Sequence, residues 1–275
     1  MRSRVRAMVW ARAMGWTALA TVAGGCQLNL RPGAATLTEA LMEQGSTPLE
    51  QAQMATNPYD ANERYLGTLG LANQDFASEP VYIRLFETNI RDADPMVRSA
   101  AIRGLANHGE PRHVAMIVPS LADANPLVRA EAARSLQRLH HEDAVAPLIA
   151  AVREPDVQTR TVEAEPEAHI RAEAATALGQ YAEHRVLRAL IAALDDSDLA
   201  VNRAAQASLR TLTGQDFGID RVLWQAWESS AEDPFAGRQL YTYPAYSRRQ
   251  RVYEYIPLVP KPPNERPGPP AGMPR

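Results

Sequence analysis

Four stretches of this chain lie over one another without a gap: "DPMVRSAAIRGLANHG" from Asp94, "NPLVRAEAARSLQRLH" from Asn125, "EAHIRAEAATALGQYA" from Glu167 and "DLAVNRAAQASLRTLT" from Asp198. An internal repeat at this period restricts the fold more than any other feature of a sequence, because each copy must be one supersecondary unit that stacks on the next. The columns are specific. One holds Val97, Val128, Ile170 and Val201, and the next holds Arg98, Arg129, Arg171 and Asn202. A small-residue column holds Ala101, Ala132, Ala174 and Ala205, and a leucine column holds Leu105, Leu136, Leu178 and Leu209. A divergent first copy fits as Arg64, Gly67 and Leu71, so successive copies are offset by 34, 31, 42 and 31 residues.

Positions 97, 101 and 105 are spaced i, i+4, i+8 and fall on one helical face. Asp94-Pro95 and Asn125-Pro126 place a capping side chain before a proline at the first helical position. A second helix is predicted after each first one. Val114, Ile117, Val118 and Leu121 recur as Val145, Leu148, Ile149 and Val152, and again as Leu187, Leu190, Ile191 and Leu194, at the i, i+3, i+4, i+7 spacing of an amphipathic stripe. Tyr82, Leu85 and Phe86 supply the first unit's version, and Pro119 is expected to kink or shorten the second. Each unit is then a helical hairpin of about 31 residues. A single hairpin cannot bury both its faces, so the hairpins must stack.

"VRAEAARSL" and "IRAEAATALG" resemble the HEAT-like repeat, in particular the short bacterial form related to phycobilin-lyase repeats. The resemblance covers residues 58–229. It implies an all-α fold, an alpha-alpha superhelix or solenoid of about five hairpins. It also implies a ladder between neighbouring units, for which Asp92, Asp123 and Asp195 with Arg98, Arg129 and Arg171 are the candidates. Asn202 breaks the arginine column in the last copy, as an end unit would. The closing "LTGQDFGIDRVLWQAWESS" resembles the terminal segment of such proteins, with Trp224 and Trp227 as a cap over the last leucines; a ligand platform is the alternative role for that pair.

The flanks differ in character. Arg2, Arg4 and Arg6 precede an uncharged apolar run from Ala13 to Ala23, and Ala23-Gly24-Gly25 leads into Cys26, the one cysteine in 275 residues. A basic start, a short apolar core and a small-residue site describe a cleaved export signal. "AGGC" resembles the lipobox of bacterial lipoproteins. That resemblance implies a signal peptide at 1–25, acylation of Cys26 and, with Gln27 rather than Asp following, an outer-membrane lipoprotein facing the periplasm. Several acyl chains give stable anchoring where one is marginal. Residues 26–57 read as a linker. The tail, 230–275, carries ten prolines from Pro234 to Pro274 and five of the nine tyrosines. Such a segment is expected to be extended and disordered; the alternatives are a docking segment or arginines folded back on the acidic body.

Charge and composition exclude several classes. Residues 26–237 carry 18 bases and 30 acids, a net of −12, which does not suit a phosphate-backbone binder, so no nucleic-acid partner is expected. There is no Gly-rich phosphate loop and no G-x-S-x-G elbow, and no small-molecule substrate is evident. The reading is a protein-binding scaffold or adaptor, with no catalytic residues, no cofactor and no metal. The alternative is a metal-dependent envelope enzyme using His108, His140, His141 and His184, all of which fall in the turns between paired helices. One HEAT-like family, deoxyhypusine hydroxylase, binds iron through several His-Glu pairs, whereas only His141-Glu142 has that form here. An insert of 11 extra residues at 153–168, rich in acids, separates the third and fourth units; it is a tolerated insertion or a partner-recognition loop.

Overall fold

A computed structural model describes residues 46–155, 165–244 and 267–274 of the chain. The repeat columns become paired helices in the expected order. They are α2 (Ala61–Ala72) with α3 (Pro80–Asn89), α4 (Pro95–His108) with α5 (Val114–Ile117), and α6 (Pro126–Ser135) with α7 (Val145–Ala151). Then follow α8 (Ala168–Leu178) with α9 (His184–Ala193), and α10 (Leu199–Thr213) with α11 (Arg221–Ser230). These are five hairpins. The first helices α2, α4, α6, α8 and α10 pack successively on one another, and the second helices cover the other side. Among the described residues there is no strand, only two isolated backbone bridges.

Local chemistry starts each helix where the sequence marks it. Asp94 Oδ1 accepts from the N–H of Met96 at 2.8 Å and of Val97 at 3.3 Å, with Pro95 behind it. Asn125 caps α6 through Leu127 N–H at 2.9 Å, and Asp198 caps α10 through Ala200 N–H at 2.8 Å. These bonds satisfy donors that the first helical turn leaves open. Pro119 acts as expected: α5 stops at Ile117 and the chain continues as a 3-10 turn over Val118–Ala122.

The interior is the set of repeat columns. Val97, Val128, Ile170 and Val201 are fully buried, as are Ala101, Ala132, Ala174 and Ala205, and Leu105, Leu136, Leu178 and Leu209. Most of the buried side chains run into one cluster from Ala55 to Trp224, with Ile170, Ala130 and Ala133 forming a smaller one. The alanine column sets how closely the first helices approach. Trp224 is wholly buried at the far end, its Nε1–H donating to Gly218 O at 2.9 Å. Phe217 and Trp227 meet its ring edge-on or tilted, with centroids 4.9 and 5.9 Å away, so the pair is a cap.

Two regions depart from expectation. Within the stretch read as a linker stands α1 (Pro48–Ala55), opened by a capping box in which Thr47 and Glu50 bond reciprocally at 3.2 and 2.9 Å. It packs on α2 so closely that a Cβ on Gly67 would lie 2.4 Å from Ala55 N and Gln51 O. The first copy therefore has glycine where the others have alanine. Residues 231–244 and 267–274, in the tail read as disordered, run back along the turns and bond to them. Gln239 N–H donates to Thr211 O at 2.8 Å, Arg238 Nη2 to Gln180 O at 2.9 Å, and Ala271 N–H to Arg138 O at 2.8 Å. Residues 1–45, 156–164 and 245–266 lie outside the described residues, and with them Cys26, the signal segment, the insert's centre and Tyr253 and Tyr255.

The merged interior is tested at one column position. Leu136→Ala removes a fully buried side chain, and the expected loss is about 2–5 kcal/mol in urea denaturation. Leu127→Ala, on the exposed side of α6, is expected to stay within about 0.5 kcal/mol.

Candidate functional site

Among the described residues, charged and titratable side chains gather in the loops between hairpins, on the outer face of the first helices and at the turns within hairpins. Between hairpins, a row of arginines ties each unit to the next. Arg64 Nε donates to Asp92 at 2.7 Å, Arg98 Nη2 to Asp123 at 2.8 Å, Arg129 Nε to Glu165 at 2.7 Å and Arg171 Nε to Asp196 at 2.7 Å. Each pair is bidentate. The remaining nitrogen of each guanidinium donates to a carbonyl at the entry of its own helix, such as Asp92 O for Arg98 at 2.9 Å and Pro166 O for Arg171 at 2.9 Å. Each acid also accepts the N–H two residues on: Asp94, Asn125, Glu167 and Asp198 respectively. The planar fork of arginine suits this double duty.

The ladder corrects one expected member. Asp195 is more than half exposed and pairs with Arg221 instead of Arg171. The rung acid is its neighbour Asp196, whose side chain is 1% exposed. Glu165 is the rung acid of the fourth unit. A constant spacing marks them all: Asp92, Asp123, Glu165 and Asp196 each stand six residues before Arg98, Arg129, Arg171 and Asn202. Asn202 meets no following acid. Its amide donates to Leu194 O at 2.7 Å and Asp196 O at 3.0 Å, doing the backbone half of the arginine's task without a charge.

The ion pairs move four titrations along the ladder. Desolvation pushes the Asp92 and Asp123 carboxyls upward, but hydrogen bonds from Arg64 or Arg98 and from backbone N–H groups outweigh it, and both end below the usual carboxylate value. Hydrogen bonds to Glu165 and Asp196 raise Arg129 and Arg171.

The outer face of the first helices carries a second charged row. Arg103 forks onto Glu131 with both bonds at 2.9 Å, Arg134 lies 3.6 Å from Glu131 and 3.0 Å from Glu173, and Gln137 Nε2 donates to Glu173 at 2.6 Å. Beside it, Met96, Leu127 and His169 each stand two residues before a ladder arginine. With Tyr65 and Leu69 they line a hollow of about 300 Å³ that spans α2, α4, α6 and α8. Leu127 is 55% exposed on this side. On the opposite side a wider groove of about 850 Å³ separates α7 from α9, floored by Ile149, Ala150, Ala189 and Ala192 and edged by Arg153 and Arg188. The insert leaves from its rim, where Glu154 bonds the Ser197 hydroxyl.

The turn histidines are occupied by structure. His108 Nε2 lies 3.0 Å from Ala72 O, and His140 Nδ1 lies 3.3 Å from Gln180 Oε1 with its ring stacked on Tyr181 at 4.7 Å. Burial lowers the pKa of both histidines and raises that of the Tyr181 phenol, whose O–H donates to His141 O at 3.1 Å. His141 Nδ1 caps a short turn through Asp143 N–H, and His184 meets the edge of Phe235. Among the described residues no group of three His, Cys, Asp or Glu is placed to hold a metal. Two of the four, His108 and His140, instead donate to oxygens across unit boundaries.

Comparison with known proteins agrees with this architecture. A family model described as HEAT repeats matches residues 84–165, and one described as PBS lyase HEAT-like repeat matches residues 170–196. The X-ray structure of Escherichia coli YibA superposes with a TM-score of 0.50 at 16% identity, covering 73% of each chain. An engineered protein superposes with a TM-score of 0.47 at 16% identity, covering 68% of this chain and 93% of its own. At 16% identity the likeness to YibA is one of fold alone. A search of curated proteins finds no match.

Two outcomes test the ladder. Arg171→Met leaves Asp196 buried without a counter-charge, and about 3–5 kcal/mol of stability should be lost; Asp195→Ala, at an exposed pair, should cost about 1 kcal/mol or less. The second concerns acid. Asp92 and Asp123 are lowered in the fold, so their contribution is complete above the unfolded value of about 3.9 and is lost as pH falls through the folded value beneath it. Stability measured from about pH 5 down to pH 2 should fall less steeply in Asp123→Asn than in the parent chain.

Proposed function

We propose that this stack of HEAT-like repeats is a scaffold that binds another protein across the outer face of its first helices, held at the cell envelope by lipid on Cys26. The observation that carries the binding face is the row Met96, Leu127 and His169 beside the Arg103–Glu131–Arg134–Glu173 chain. Two apolar side chains and an imidazole occupy the same position of successive units there, flanked by charges already paired. A partner surface of apolar anchors rimmed by polar groups would find both halves of a protein–protein interface preformed. Stacked helical repeats offer such faces as continuous surfaces because each unit contributes the same positions.

The tether rests on the amino-acid sequence: a basic start, an apolar run and "AGGC" ending at Cys26. Among the described residues no helix is long and apolar enough to cross a membrane. On this reading the protein is an outer-membrane lipoprotein whose repeats face the periplasm, and its role is adaptor or assembly factor with no chemistry of its own.

A photo-crosslinker placed at Leu127 in cells should give one discrete adduct, and the same group at Arg188, on the opposite side, should not. Leu127→Asp should abolish the adduct formed from Met96 while changing stability by no more than about 0.5 kcal/mol. Adducts of equal yield from both sides would remove the assignment of the face. Cys26→Ser should shift the chain from the detergent phase to the aqueous phase, and unchanged partitioning would remove the tether.

A further inference from the structure

The turn edge of the third hairpin holds a peptide already, and that peptide is the chain's own end. Helix α6 stops at Ser135, whereas α4 and α10 run four to five residues longer. The early stop leaves backbone groups between Arg138 and His140 without helical partners. Ala271 supplies them: its N–H donates to Arg138 O and its carbonyl accepts from His140 N–H, both at 2.8 Å, in a parallel bridge to Leu139. Pro270 is buried beside this bridge. Gly268 O accepts from Tyr243 N–H at 3.0 Å, and the Tyr243 ring lies under the Arg138 guanidinium at 4.8 Å. Gly272 turns with φ +85°, and a Cβ there would sit 2.4 Å from Pro111 Cγ and 3.0 Å from His140 O.

The fit selects one chemistry. Glycine is required where the segment turns against Pro111, a positive φ that other residues adopt only under strain. Proline is accommodated at 269 and 270, where no N–H bonds to the turn, and the alanine between them and Gly272 keeps the pairing N–H. Extended proline-rich segments are recognised by such aromatic-flanked channels because little entropy is lost on binding. The hold on the segment itself is slight: two backbone bonds to the turn and one buried ring.

We infer that the channel formed by Arg138–His140, Pro111 and Tyr243 is a binding site for an extended Gly-Pro-Pro-Ala-Gly-type segment of a partner protein, occupied in cis by residues 268–272. Residues 268–272 then compete with the partner, and the channel opens when that segment leaves. This site is separate from the helix face proposed above and stands whether or not that face binds.

The test uses the full chain and two tail variants, Ala271→Pro, which removes the N–H that pairs with Arg138, and Gly272→Val, which collides with Pro111. Both changes lie beyond α11, so helical content by circular dichroism should be unchanged. A fluorescent peptide matching residues 266–274 is titrated and its anisotropy followed. With the cis competitor released, both variants should bind the peptide with a Kd at least about tenfold lower than the parent chain. A peptide carrying proline in place of alanine at the position of Ala271 should fail to bind either variant. Equal affinity for the parent and the variants would overturn the inference, and so would an absence of binding to variants whose tails have become protease-sensitive. Equal binding of the altered peptide would overturn it as well.

Discussion

A hairpin with an alanine seam on one helix and an aliphatic stripe on the other has more apolar surface than it can cover by folding on itself. Everything else in the structure follows from that shortage. The valine, alanine and leucine columns are buried only because each unit's first helix lies against the next, so that no single copy owns its core. The two ends of the stack lack a neighbour and are closed by different means. At the start, α1 presses backbone to backbone on Gly67. At the finish, Trp224 and Phe217 roof Leu209 and Leu212.

Apolar columns alone do not fix how far one hairpin slides or rotates on the next, because an alanine seam is nearly featureless. The arginine ladder supplies that register. Its worth as net stabilisation is limited by the cost of desolvating both partners, but a guanidinium that must reach an acid of the next unit and a carbonyl of its own has one geometry available. The spacing of six between acid and arginine places the acid at the entry of the helix, not at the exit of the one before it. That explains why the insert is tolerated: however long the connection before it, Glu165 arrives in position. The same rule ends the ladder. Six residues before Arg64 stands Pro58, which has no charge to offer a preceding arginine, and Asn202 needs no following acid.

Periodicity made the hairpins legible, since a column of leucines at a fixed offset has one structural meaning. The ladder was half legible. Arginines stood out in a column, but Asp195 and Asp196 are adjacent, and only the spacing of six separates the rung from its exposed neighbour. The tail and α1 were not legible for a different reason. Proline-rich extended chain carries no hydrophobic period, and the bonds of Gln239 and Ala271 to the repeats are backbone bonds that any residue but proline can make. In α1 the signal was local: Thr47 followed by Pro48 and Glu50 is a capping box that the weak periodicity of the segment concealed.

The turn histidines show how position misleads when taken without partners. A row of His108, His140, His141 and His184 along one edge has the look of a ligand set. Yet an irregular turn at the end of each first helix leaves carbonyls facing the next unit, and a buried carbonyl must be answered. His108 and Asn107 answer Ala72 O, and Gln180 answers Leu136 O while its own oxygen meets His140. The polar side chains of the turns are thus bound to the stack, as the ladder arginines are at the other edge. Both edges help hold the repeats together, one by ion pairs and one by amide and imidazole bonds. On the outer face of the first helices, by contrast, Leu127 is more than half exposed and Met96 only half-buried among the described residues.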